Sequence, residues 1–215
     1  MGYADRDYYR QGQGHGQAPG RLAGAPVTKW LLISNGVLWL LDVLLQPEVP
    51  VGAPSGYYEP SILTEWGYFS IETGIQNFQI WRILTFQFLH AHLGHVALNM
   101  WGIFLFGPFL ERWFRSRPFL IFYLLSGIGG ALFYSLMVIF PGGLLPDGMV
   151  GDGLVGASAG VFGILVGVAV IAPDVRIRLL FPPIGMTMRT MALVFLAIEV
   201  FMVLTNRDNA GGSAG

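Results

Sequence analysis

The stretch Gly153-Leu-Val-Gly156-Ala-Ser158-Ala-Gly160-Val-Phe-Gly163-Ile-Leu-Val-Gly167 constrains the fold more than any other part of the chain. It opens an apolar run of about 20 residues, enough to cross a bilayer as a helix. Its glycines fall at 153, 156, 160, 163 and 167, alternating steps of three and four. On a helix that spacing draws a bare stripe down one face, so a neighbouring backbone can approach closely. The run is expected in the middle of a helix bundle, with Ser158 about one turn below its start. The simplest reading of Gly156-Ala-Ser158-Ala-Gly160 is helix packing, with the serine bonded to a carbonyl.

The surrounding composition fixes the solvent. Of 215 residues, 53% are hydrophobic and only 12% charged, about half the charged share of a soluble domain. The charges lie in the gaps between apolar runs, which makes this an all-α, polytopic membrane bundle. A formal net charge of −1 and the lack of a basic run argue against nucleic acid as a partner. The absence of cysteine excludes disulfides and thiolate chemistry.

Residues 1–26, rich in Gly, Gln and Arg, read as a disordered tail in which His15 is solvated. A membrane domain is expected over 27–215, with spans at about 29–45, 93–114, 118–140, 153–172 and 187–205. The first lacks a cleavage site and is read as retained. Asp42 and Glu199 are acids at membrane depth, costly unless they face protein or an interface; Glu199 is expected in a structural role. Residues 46–81 form a connection with Pro47, Pro50 and Pro54 followed by Tyr57, Tyr58, Trp66, Tyr68, Phe69, Phe78 and Trp81. Such aromatics favour the headgroup level, so an interfacial loop is expected. Ten of the twelve basic residues, from Arg6 to Lys29, Arg112 to Arg117 and Arg176 to Arg189, occupy alternate gaps. The positive-inside rule then puts the N-terminus in the cytoplasm, which is the plasma or inner membrane arrangement if the source is bacterial.

With that orientation the spans from Leu93 and from Gly153 both start at the outer face, and His95, Asn99 and Ser158 share a depth. His95 and Asn99, four residues apart, project from one helical face and each can donate a hydrogen bond. Two donors facing a serine in a water-poor bundle have the parts of an oxyanion hole, each donor typically worth 10²–10³ in rate. Two other readings stand beside this one. Intramembrane Asn and His also serve as links between helices. His90, His92 and His95 also form a candidate cation site, disfavoured because no Cys, Asp or Glu is near and His-Glu-x-x-His is absent.

Gly156-Ala-Ser158-Ala, His95-x-x-x-Asn99, Trp81-Arg82 and Gly107-Pro-Phe-Leu-Glu111-Arg112 together resemble the rhomboid intramembrane serine proteases, over about residues 27–210. The resemblance implies Ser158 as nucleophile, with its own N–H, His95 and Asn99 as the oxyanion hole. It places Phe162 where the family sets an aromatic ring against its catalytic histidine. It assigns Trp81-Arg82 to a membrane-embedded loop and Glu111 to a structural network. It implies cleavage of transmembrane segments of other membrane proteins near their outer ends, without metal or cofactor. The family's general-base histidine lies on a sixth span. None of the four histidines here matches it, so that base is expected beyond Gly215 and residues 1–215 alone are expected to be inactive. The alternative is a catalytically inactive relative that binds or routes membrane clients; a histidine-lined metal transporter is a third possibility, disfavoured because the acids at depth do not cluster with the histidines.

Overall fold

The computed structural model describes residues 20–48, 59–139, 153–178 and 184–204, with side chains through Ile198 in the last segment. The expected tail through Pro19 with His15, the residues Pro50, Pro54, Tyr57 and Tyr58, the side chain of Glu199 and everything from Thr205 onward lie outside the described residues.

The elements in chain order are α1 (Pro26–Leu44), α2 (Ile62–Gly67), a π-helical turn (Ile71–Gln76), α3 (Arg82–Thr85) running into a 3₁₀ turn (Phe86–Phe88), α4 (Leu93–Phe114), α5 (Ser116–Ile139), α6 (Ser158–Ile171), β1 (Arg176–Arg178), β2 (Gly185–Thr187) and α7 (Met188–Leu204). Among the described residues three helices, α1, α4 and α5, are long and apolar enough to cross a membrane; α6 and α7 are shorter. The all-α expectation meets one exception, the antiparallel β1–β2 hairpin between α6 and α7, in which Ile177 pairs with Met186.

The bundle is inside-out in the sense a lipid solvent requires. Its surface carries Leu44, Leu132, Phe133 and Val170 well exposed, while Asn35, Asp42, Gln87 and Glu111 are buried. In water an apolar surface of this extent would be an aggregation site; in a bilayer it faces its own kind. The fully buried centre is Ile103, Leu110, Phe119, Tyr123 and Ile164, contributed by α4, α5 and α6.

Several buried polar groups hold junctions. Proline at the first position starts α1. The Glu111 carboxylate of α4 caps that end, accepting from Val27 N–H (2.9 Å), Thr28 N–H (2.8 Å) and Thr28 Oγ1 (2.8 Å), and also from Ser116 Oγ (2.7 Å) at the start of α5. A carboxylate on free N–H groups at a helix N-terminus is favoured by hydrogen bonding and by the helix dipole together. Residues 20–25, read from the sequence as part of the tail, form a turn seated on α4: Arg21 donates to the Leu105 carbonyl (2.9 Å), and Arg112 donates to the Arg21 and Ala23 carbonyls. At the far end of α1, Asp42 accepts from Ser61 Oγ and from Thr64 Oγ1 (2.8 Å), fixing α2 against it. Asp42 therefore faces protein, as its cost at depth demands.

The 59–92 region is wound around Arg82, which is buried and donates to the Glu65 and Tyr68 carbonyls at 2.8 Å each and to Gln79 Oε1, with Tyr68's ring stacked on the guanidinium. Trp66 and Trp81 stack outside it at 5.4 Å.

Helix α6 corrects the sequence reading. It begins at Ser158, not Gly153, and its 14 residues span only about 21 Å of a hydrocarbon core about 30 Å thick. Residues 153–157 are not helical: Leu154 bridges to Phe69, and Gly156 and Ala157 bend into the helix, so only Gly160, Gly163 and Gly167 form a helical stripe. Those glycines admit neighbouring side chains: Gly160 takes the Tyr123 ring, Gly163 takes Ser126, and Gly167 takes Leu110 at 3.1 Å from where a methyl group would sit. In return Ala159 packs on Gly130 and Val161 on Gly102, each 2.6 Å from such a methyl. Helix α6 is thus held between α4 and α5 by close approach, which carries association where lipid supplies no hydrophobic drive.

Gly160→Ala is expected to lower stability by about 1–3 kcal/mol, because fully buried Tyr123 cannot retreat. Gly129→Ala, on an open face of α5 with nothing within 4 Å, should not. Thermal unfolding of both variants in bicelles checks the contrast.

Candidate active site

The site is built on the non-helical segment before α6. Leu154 pairs with Phe69 through two backbone bonds, N–H to carbonyl at 2.6 and 3.1 Å, and Gly156 N–H donates to the Phe86 carbonyl at 2.8 Å. Irregular backbone at membrane depth needs such partners, since lipid offers none. Gly156 adopts φ +125°, a conformation that L side chains rarely accept. The chain turns there, and Ser158 becomes the first helical residue, with its hydroxyl on an exposed position. Its N–H and those of the next residues belong to a helix N-terminus, so they have no partner within the helix. The corrected start of α6 moves Ser158 from one turn inside the helix to its positive end.

His95 and Asn99 come from the first two turns of α4, both buried. A methyl group at Gly156 would lie 2.5 Å from His95 Cε1, 2.6 Å from His95 Nε2 and 3.8 Å from Asn99 Nδ2. The Nε2 edge of His95 and the amide of Asn99 thus face the backbone two residues ahead of Ser158. Asn99 Nδ2 and His95 Nδ1 are buried without a protein hydrogen-bond partner among the described residues. Buried polar atoms left open in this way are uncommon and mark a place where a ligand, substrate or water completes them. The three residues chosen from the sequence therefore converge on one turn of backbone. Its chemistry is that of an alcohol beside a helix N-terminus and two side-chain amide or imidazole donors.

The other histidines divide differently from the cation-site reading. His92 is the N-cap of α4: its Nδ1 accepts the His95 N–H at 3.1 Å. A polar side chain just ahead of an apolar helix is the signal for that role. His90 is buried with its ring edge-on to His95, centroids 5.0 Å apart and planes at 69°. Among the described residues no group of three His, Cys, Asp or Glu side chains converges as a metal site. Phe162, one turn below Ser158, lines a groove of about 410 Å³ between α6 and α7 with Val166, Ala169 and Leu193.

Burial first, and then the neighbouring His95 ring, push the pKa of His90 down to about 3, against a smaller upward pull from the Phe88 carbonyl. Its folded-state value is depressed below the ordinary 6.5, so the stability that goes with a neutral His90 is present above pH 6.5 and lost as pH falls from there towards 3. The melting temperature is expected to fall over that window, and His90→Phe should remove part of the slope. Unfolding measured at pH 7.5, 5.5 and 4 in wild type and variant tests this.

The sequence matches the Rhomboid domain family model over residues 77–214. YdcA of Bacillus subtilis (strain 168), which carries the name of a rhomboid protease, is 31% identical over 183 residues, covering 85% of this chain and 78% of its own. Rhomboid-like protease 3 of Toxoplasma gondii is 31% identical over 144 residues, 65% of this chain and 46% of its own. Inactive RHOMBOID-like protein 8 of Arabidopsis thaliana is 36% identical over 91 residues, 42% of this chain and 25% of its own.

Proposed function

The chain belongs to the rhomboid family, a membrane-embedded serine protease family, and on that premise we propose that it is an endopeptidase cutting transmembrane segments of other membrane proteins near their outer ends. The observation that carries this reading is the convergence at Gly156, where His95 Nε2 and Asn99 Nδ2 face the turn that leads into Ser158.

In the proposed reaction Ser158 Oγ attacks the scissile carbonyl as its proton passes to a general base. The carbonyl oxygen becomes an oxyanion that accepts from Ser158 N–H, His95 Nε2–H and Asn99 Nδ2–H. Donors fixed in advance in a water-poor site stabilise that charge without reorganising. The intermediate collapses, the amine leaves with a proton, and water then releases the acyl group from Ser158. His95 serves as donor, His92 caps α4 and His90 is buried against His95, so none of these three is assigned the base. The ten-to-two split of basic residues supports a cytoplasmic N-terminus, which puts Ser158 towards the outer side.

A second reading, an inactive member that binds or routes membrane clients, is favoured by the likeness to the Arabidopsis protein named inactive. The approach of His95 and Asn99 of α4 to the turn that leads into Ser158 favours the protease.

The experiment is cleavage of a transmembrane substrate by the full-length protein in liposomes. Ser158→Ala should abolish turnover and leave thermal stability almost unchanged, since the residue is exposed and neighbours alanines. His95→Ala and Asn99→Ala should each lower turnover by about 10²-fold, and EDTA should change nothing. Cleavage that survives Ser158→Ala, or that stops on chelation, would overturn the assignment.

A further inference from the structure

His95 can donate from Nε2 while neutral only if its Nδ1 carries no proton and acts as an acceptor. That Nδ1 is buried and has no protein partner among the described residues. His92 does not serve it, because its Nδ1 is already bonded to the His95 backbone N–H. The ring lying edge-on against His95 is that of His90, 5.0 Å between centroids. Neither buried nitrogen of His90 makes a protein hydrogen bond of good geometry among the described residues, although the Phe88 carbonyl favours its protonated form, and the residue is 2% exposed. Two rings with unsatisfied nitrogens, packed against each other away from solvent, each carry a desolvation cost that one shared water removes.

We infer that His90 is a positioning residue: through one shared water, it keeps His95 Nδ1 as an acceptor and so holds His95 in the tautomer that presents Nε2–H towards Gly156. This deepens the proposed protease reading and rests on it for its consequence in turnover, though not for the tautomer itself. Neutral imidazole on both sides suits the arrangement, and burial keeps His90 uncharged in the neutral range. A shared water donates to His95 Nδ1 with one hydrogen and to His90 with the other. His95 Nδ1 is then the acceptor and the proton sits on Nε2.

The test is nitrogen NMR of ¹⁵N-histidine-labelled full-length protein in lipid at neutral pH, with the His95 signals assigned by their loss in His95→Gln. Wild-type His95 should show an unprotonated, hydrogen-bonded Nδ1 and a protonated Nε2. His90→Phe keeps a ring in that place and removes the polar anchor of the shared water. It should shift His95 towards a tautomer mixture and lower kcat about 10-fold with KM nearly unchanged, a smaller loss than deleting a donor outright. His90→Gln, which keeps a polar anchor, should restore most of both. A protonated Nδ1 on wild-type His95, or an unchanged His95 spectrum in His90→Phe, overturns the proposal. If His90→Phe does not fold, the wild-type spectrum and His90→Gln decide it. If Ser158→Ala leaves cleavage intact, the protease reading falls while the spectra still decide the tautomer.

Discussion

The backbone hydrogen bonds of residues 154–156 are what the rest of the site depends on. A helix that ran from Gly153 would satisfy its own backbone in lipid. A non-helical segment there must find partners elsewhere, and it finds them in Phe69 and Phe86. Those two residues belong to the region wound around Arg82, whose guanidinium gathers the Glu65 and Tyr68 carbonyls. The buried arginine therefore shapes the scaffold on which the pre-α6 segment lies. From that segment follow the positive φ of Gly156 and the start of α6 at Ser158.

Packing then holds the assembly in register. Gly160 and Gly163 accept Tyr123 and Ser126 of α5, and Gly102 and Gly130 receive Val161 and Ala159 of α6. Glu111 ties α1, α4 and α5 at the opposite end by accepting from Val27, Thr28 and Ser116. A bundle without a hydrophobic drive between its helices is fixed by such interlocking and by buried polar bonds. The rigidity that results lets α4 present His95 and Asn99 to a turn formed by a different part of the chain.

Much of this was legible in the sequence, for physical reasons that also explain what was not. The apolar lengths and the gaps holding charge gave α1, α4 and α5, because lipid admits only helices or closed barrels there. The four-residue spacing of His95 and Asn99 put both on one face, and shared depth brought Ser158 near them. The start of α6 was not legible. Gly153 to Ser158 reads as a continuation of the same apolar run, and what stops the helix is pairing with residues 69 and 86, far away in sequence. Spacing read as a glycine stripe concealed that Gly156 serves a backbone turn. The role of His92 was hidden by its neighbours: three histidines in six residues suggest a cation, although a polar residue just before Leu93 was itself a capping signal. The β1–β2 hairpin left no alternating pattern long enough to notice.

The central proposal is that the turn at Gly156, and not helix packing alone, makes Ser158 reactive. Gly156→Ala tests it most directly, since an L side chain is disfavoured at φ +125° and its methyl would meet the His95 ring. The measurement is the rate of fluorophosphonate labelling at Ser158 in the full-length protein, with samples matched for folded fraction by their unfolding transitions. The expected result is a rate at least about 10²-fold below wild type, the scale of a lost oxyanion donor. Labelling at the wild-type rate would contradict the account.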